Sequence, residues 1–177
     1  MSDNKHIAII GAGYWGKNLV RNFHQLGVLK TICDGAKPIR DEMTKTYPDV
    51  VVTDDISMVL NDAHIKGVVI AAPAVLHYEI AEKALHAGKD VFVEKPLSLN
   101  HADGEKLVRL AAAEKKILFV GHILNYHAAV IRLKEMIKDG KIGRLQYIYS
   151  RRLSFGKIRR EENILWSFAP HDISIIL

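Results

Sequence analysis

The apolar run Lys5–Ile10 stops at Gly11-Ala-Gly-Tyr-Trp-Gly16, and an amphipathic segment with Leu19, Phe23 and Leu26 on one face starts at once. A GxGxxG alone is a weak signal. Between a strand and a helix it becomes the fingerprint of a dinucleotide-binding turn. Gly11 permits the tight turn, Gly13 lets the backbone approach a pyrophosphate, and Gly16 lets the helix pack close to the strand. The free N–H groups and partial positive charge of the helix start then face the phosphates, with Tyr14 and Trp15 on the same turn. The alternative is a glycine-bearing strand–helix turn that holds no ligand. The next strand, Val28–Asp34, ends in an acid eighteen residues beyond Gly16. An aspartate there can accept the ribose hydroxyls of adenosine and repels a 2′-phosphate, which argues for NAD over NADP. Lys37 nearby softens that discrimination.

The alternation continues well past this unit. Strand patterns at Lys5–Ile10, Val28–Asp34, Val50–Val52, Gly67–Ala71, Asp90–Val93 and Ile117–Val120 are separated by helix patterns. The helices fall near Tyr14–Leu26, Pro38–Thr46, Ser57–Asp62, Val75–Ala87 and His101–Lys115. Short, continuous, Val- and Ile-rich strands suit a parallel sheet buried on both faces. Right-handed crossovers then give an α/β fold, a doubly wound parallel Rossmann sheet with ligand at the carboxyl ends of its strands. The pattern changes after Gly121. Ala128–Asp139 is a helix stopped by Gly140, and Gly143–Leu153 alternates as a long strand, with Leu145, Tyr147 and Tyr149 on one face and no evident sheet to join. The expected organisation is a dinucleotide-binding domain over 1–121 and the beginning of a second, α/β substrate domain over 122–177.

The 177 residues are 49% hydrophobic, yet no apolar run approaches membrane-spanning length. The polar start leads straight into a strand, without a signal-peptide pattern. The single cysteine, Cys33, sits in an apolar strand, where packing is its expected role and a reducing cytoplasm its expected setting. A net charge of +5 permits nucleic-acid binding, but most basic residues are interspersed with acids along helices. The basic stretch Arg151–Arg160 carries no nucleic-acid motif, and an anionic small ligand explains it as well as a polynucleotide does. No His, Cys and carboxylate spacing suggests a metal site.

Glu94-Lys95-Pro96 follows the fifth strand, at the edge where ligands bind. With the GxGxxG, Asp34, Ala72-Pro73 and His77, it resembles the Gfo/Idh/MocA oxidoreductases, the relatives of glucose–fructose oxidoreductase and inositol dehydrogenase. The tail is similar to a narrower branch, the nucleotide-sugar 3-dehydrogenases, through Gly121-His-Ile, Tyr126-His127, Arg152–Gly156, Arg160–Asn163 and Leu165–Ile173. The resemblance covers the whole chain. It implies NAD as cofactor, a UDP-N-acetylhexosamine or its uronate as substrate, oxidation at the C3 hydroxyl, and a larger substrate domain. Through that domain, full-length members often form homo-oligomers.

By matching position, Lys95 is the active-site lysine that bonds the reacting hydroxyl and helps take its proton, and the Lys95–Pro96 peptide is implied to be cis. His171 matches the second active-site position; a structural histidine at a helix start after Pro170 is the alternative. Many family members have an aspartate four residues earlier, where this chain has Ser167, so proton relay through a carboxylate there is in doubt. Ala72, Pro73 and Glu94 fall on the cofactor side. His77 either sits near the cofactor or serves helix packing. Tyr126, Arg152 and Arg160 are candidates for the sugar and pyrophosphate, because arginine suits bidentate phosphate contacts; an ordinary solvated loop is the alternative. Two rivals stand beside the 3-dehydrogenase reading: a non-catalytic NAD-binding chain, and a polyol or free-sugar dehydrogenase.

Overall fold

A computed structural model describes residues 4–153 and 163–177. The chain divides into two compact units, Met1–Val120 and Gly121–Leu177. The first is built on six parallel strands: β1 (Ile7–Ile10), β2 (Leu29–Cys33), β3 (Val51–Thr53), β4 (Gly67–Ile70), β5 (Asp90–Val93) and β6 (Leu118–Val120). Their order in the sheet is β3-β2-β1-β4-β5-β6. The chain runs outward from β1 to β3, then returns to lay β4 on the other side of β1. Ile10 lies beside Cys33 on one flank and Ile70 on the other. The connections from β1 and β4 leave in opposite directions, which opens a crevice at their carboxyl ends. This is the Rossmann architecture expected from the strand pattern.

Helices α1 (Gly16–Gln25), α2 (Lys37–Thr46), α3 (Ile56–Asn61), α4 (His77–His86) and α5 (His101–Ala113) cover the two faces. Successive strand residues point to opposite faces, and the core divides accordingly. Ala8, Ile10, Val68, Ile70, Val91 and Val93 pack with Ile80, Leu85 and Leu107 from α4 and α5. Ile9, Ile32 and Val69 pack with Val20 and Met43 from α1 and α2. Neither α1 nor α2 has a side-chain cap at its start. A missing cap costs about 1 kcal/mol, whereas burying a Val20 or Met43 side chain contributes about 1.5–3 kcal/mol. Packing therefore decides where these helices sit.

The boundaries differ from the sequence pattern in one instructive place. The segment before α4 is a 3₁₀ turn, Ala74–Leu76, and the α-helix begins only at His77, whose buried ring is held from both sides.

The second unit contains a 3₁₀ turn, Ile123–Tyr126, then α6 (Ala128–Lys138) and α7 (Ile164–Ile176), which packs on that turn. The His127 ring caps α6 by accepting the N–H of Ala129. The strand expected at Gly143–Leu153 is absent: these residues form no regular element, and Tyr147 and Tyr149 are exposed. A strand exists only against a neighbour, and all six described strands belong to the other unit's sheet. In α7, Asn163 caps the N–H groups of Leu165 and Trp166. Pro170 therefore lies inside the helix, and His171 sits in its middle, not at its start. Among the described residues no helix is long and apolar enough to cross a membrane.

The end of α5 supplies a test. Lys115 holds φ 54°, the left-handed conformation that terminates a helix and is normally left to glycine. Lys115→Gly is expected to stabilise the chain by about 0.5–1 kcal/mol, measured as a higher midpoint in urea. An unchanged or lower midpoint would show that the lysine pays no strain there.

Candidate cofactor and active site

The turn after β1 is set by two close approaches. Gly11 has φ 93°, and a Cβ there would lie 2.5 Å from the backbone nitrogen of Ala72, at the end of β4. A Cβ on Gly16 would lie 2.1 Å from the carbonyl oxygen of Gly11. Strand, helix and neighbouring strand end thus meet with no room for a methyl group. Gly13 differs: its Cβ position is open on all sides. It faces an open groove of about 620 Å³ lined by Gly13, Tyr14, Trp15, Lys17, Asn18 and Ile39. The start of α1, which has no side-chain cap hydrogen bond, turns its positive dipole end to this groove.

Asp34 follows β2 on the same edge. Its Oδ2 accepts the N–H of Ala12 at 2.7 Å and its Oδ1 the N–H of Ala36 at 2.8 Å. The carboxylate is therefore aimed by the backbone on both sides, and each oxygen keeps a lone pair for a ribose hydroxyl. Lys37, weighed as a softening cation, pairs with Asp41 at 2.7 Å.

Glu94-Lys95-Pro96 leaves the end of β5, two strands from β1. Glu94 is buried, and its Oε1 accepts the indole N–H of Trp15 at 2.9 Å, so the glycine turn and this motif are directly joined. Burial pushes the Glu94 carboxyl above its ordinary range, against the Trp15 bond and the Lys95 charge. The Lys95–Pro96 peptide is cis, and Lys95 itself is half-buried. His77 is 2% exposed, with Nδ1 2.7 Å from the Pro96 carbonyl and Nε2 2.8 Å from the Ala72 carbonyl. An imidazolium donates to both, a neutral ring to one. Of the two readings of His77, the geometry is that of a brace between the β4 and β5 ends. Pro73 is exposed beside it.

In the second unit Tyr126 is 66% exposed on its 3₁₀ turn. Arg152 is not free: its Nε and Nη2 donate to both oxygens of Asp172 at 3.1 and 3.0 Å, and Ser150 donates to the same carboxylate at 3.0 Å. The guanidinium holds the Asp172 carboxyl below its ordinary range. Asp172 was not singled out from the sequence; its only signal was its place beside His171. His171 and Ser167 are half-buried on α7. Arg160 lies outside the described residues.

Residues 5–122 match the model of the oxidoreductase family with an NAD-binding Rossmann fold, Gfo/Idh/MocA. The chain belongs to this family. Among Gfo/Idh/MocA relatives, the 2,7-anhydro-N-acetylneuraminate hydratase of Mediterraneibacter gnavus is 30% identical over 82% of this chain and 38% of its own length. The scyllo-inositol 2-dehydrogenase (NADP(+)) of Bacillus subtilis is 29% identical over 71% of this chain and 34% of its own. Scyllo-inositol dehydrogenase from Lactobacillus casei, solved with NAD(H) and scyllo-inositol, superposes with a TM-score of 0.73 at 26% identity. That alignment covers 79% of this chain and 42% of the other. The chain thus spans well under half the length of these Gfo/Idh/MocA relatives.

As a Gfo/Idh/MocA Rossmann unit, residues 5–122 form an NAD-binding domain, and the geometry fits that cofactor. The open Gly13 and the uncapped α1 start suit a pyrophosphate, and Asp34 suits the adenosine ribose. Cys33, one residue before Asp34, is a buried free thiol. Burial first, then Asp34, Asp54 and Asp55, push its thiol up to about 11. At pH 8 roughly one thiol in 10³ is then ionised, so native Cys33 is expected to resist iodoacetamide and to react only after denaturation. Mass spectrometry showing rapid native alkylation would overturn this.

Proposed function

We propose that this chain carries the cofactor domain and the first part of the substrate domain of an NAD-dependent oxidoreductase. The substrate is a UDP-N-acetylhexosamine or its uronate, oxidised at C3. The observation that supports a catalytic reading is the placement of Glu94-Lys95-Pro96. It stands at the carboxyl end of β5, braced to the end of β4 by His77 and tied to the glycine turn by Trp15. Bound NAD supplies the hydride acceptor. Lys95 bonds the reacting hydroxyl and takes its proton as the C–H leaves. A free lysine titrates near pKa ~10.4, so this task requires a lowered pKa, which an adjacent positive nicotinamide favours. His77 acts on the backbone that carries Lys95. His171 is the second acid–base group by the motif it shares, and Ser167 leaves it without the usual upstream carboxylate.

A second reading, a polyol or free-sugar dehydrogenase, is favoured by one observation. Arg152, offered for the pyrophosphate, already spends a bidentate contact on Asp172. The named activities of the relatives on an inositol and an anhydro-sugar point the same way. Assaying NADH formation with UDP-N-acetylglucosamine, its uronate, and scyllo- and myo-inositol separates the readings. NAD binding without turnover of any of them would favour a non-catalytic chain.

Lys95→Ala is expected to lower turnover by ~10²–10⁴-fold. Calorimetric NAD affinity should stay within severalfold. Turnover within twofold of the parent would remove Lys95 from the chemistry.

A further inference from the structure

The carboxyl ends of β2 and β3 carry a charge arrangement that the role of Asp34 does not account for. Arg40, in the second turn of α2, reaches back over this edge. Its Nη1 donates to the carbonyls of Asp34 and Gly35 at 2.9 and 2.8 Å, and its Nη2 lies 2.8 Å from Asp54 Oδ2. The Arg40 side chain is only 20% exposed, whereas Asp54, just past β3, is 63% exposed. Asp55 follows as the cap of α3. Three carboxylates, of Asp34, Asp54 and Asp55, therefore follow the ends of β2 and β3 on the edge assigned to the adenosine ribose, and one of them, Asp54, pairs with the guanidinium. The surplus of negative charge is felt inside the sheet: Asp34, Asp54 and Asp55 all raise the Cys33 thiol, and Arg40 alone opposes them.

A 2′-phosphate needs a cation that can offer it at least two N–H donors. Arg40 is placed to do so, since its carbonyl bonds hold it against the Asp34 turn, but its charge is already answered by Asp54. We propose that Asp54 is a cofactor-specificity residue, which withholds Arg40 from a 2′-phosphate and so reinforces Asp34 in selecting NAD over NADP. This rests on the NAD reading of the site. Asp34 alone does not complete the discrimination. Removing it deletes one repulsive carboxylate yet leaves the Arg40 guanidinium neutralised by its partner. Removing Asp54 frees that guanidinium and deletes a second negative charge.

The test is calorimetric titration of the 177-residue chain with NAD and with NADP at fixed ionic strength, the readout being the ratio of the two dissociation constants. The parent should bind NAD more tightly. Asp54→Asn should move the ratio toward NADP by about fivefold to tenfold, the scale of a partly exposed ion pair and one further charge. Asp54→Ser should do the same, which guards against a folding defect peculiar to one variant, and thermal melts should show both folded. Arg40→Ala combined with Asp54→Asn should lose most of the gain, because the cation that receives the phosphate is gone. Glu105→Gln, an equal loss of charge on α5, should leave the ratio unmoved. A ratio within twofold of the parent for both Asp54 variants, with NAD still bound, overturns the role of Asp54 and leaves the cofactor reading intact. Full conversion by Asp34→Ala, with no added effect of Asp54→Asn, also overturns it. A parent that binds neither nucleotide overturns the NAD reading and this inference together.

Discussion

The unit that binds the cofactor depends on one steric constraint: the backbone of Gly16 must touch the carbonyl of Gly11. With a hypothetical Cβ only 2.1 Å from that oxygen, no L side chain is compatible with the contact. The contact brings the start of α1 down onto the end of β1, and Gly11 in turn sits against the backbone of Ala71 and Ala72 after β4. Absence of side chains does two jobs here. At Gly11 and Gly16 it allows three backbone segments to meet, and at Gly13 it leaves the groove beside the start of α1 open.

From that contact a line of hydrogen bonds runs along the carboxyl edge of the sheet. Asp34 accepts the N–H of Ala12 inside the turn. Ala72, against which Gly11 packs, offers its carbonyl to His77, and His77 also meets the carbonyl of Pro96. Trp15 closes a second path by bonding Glu94. The end of β2, the turn after β1, the end of β4 and the motif after β5 are thereby held to one another by short polar contacts, three of them to backbone. Burial makes these contacts consequential. His77 and Glu94 are both within the buried set, and a buried polar group stripped of its partner costs about 1–3 kcal/mol. The edge therefore behaves as one preorganised surface, which suits the proposed placement of a cofactor beside Lys95.

What the sequence discloses about this molecule follows the range of the interactions involved. The six strands and five helices of the first unit were legible because each is announced locally: a short run rich in Val and Ile, a break usually carrying Gly, Pro or Asp, then an amphipathic stretch. Their ends were placed less well. The helix expected from Val75 begins at His77, because the ring of that histidine is fixed by carbonyls five and nineteen residues away. The glycines, Asp34 and Glu94-Lys95-Pro96 were legible as motifs, whereas the Trp15–Glu94 bond spans 79 residues and leaves no local trace. The alternating segment Gly143–Leu153 shows the opposite failure. Alternation states which residues would share a face, but a strand also needs a partner ladder, and periodicity is silent about that. Asp172 was missed for the same reason: its meaning comes from Arg152, twenty residues earlier.

Arginines make the point most sharply. Arg152 was offered from the sequence for a pyrophosphate and Arg40 stands beside the Asp34 turn, and both are already engaged by a carboxylate within 3.1 Å. An arginine's position tells where a cation is anchored; its pairing tells whether that cation is available. For the bidentate Arg152–Asp172 pair, an incoming anion must displace a carboxylate that is already aligned. The backbone-built half of the site, made of glycines, helix start and strand ends, has no such competitor. Cofactor binding therefore rests on features that cannot be reassigned without breaking the fold. On the proposed readings, the choice between NAD and NADP, and between a phosphorylated and a neutral sugar, turns on which carboxylates hold these two guanidinium groups.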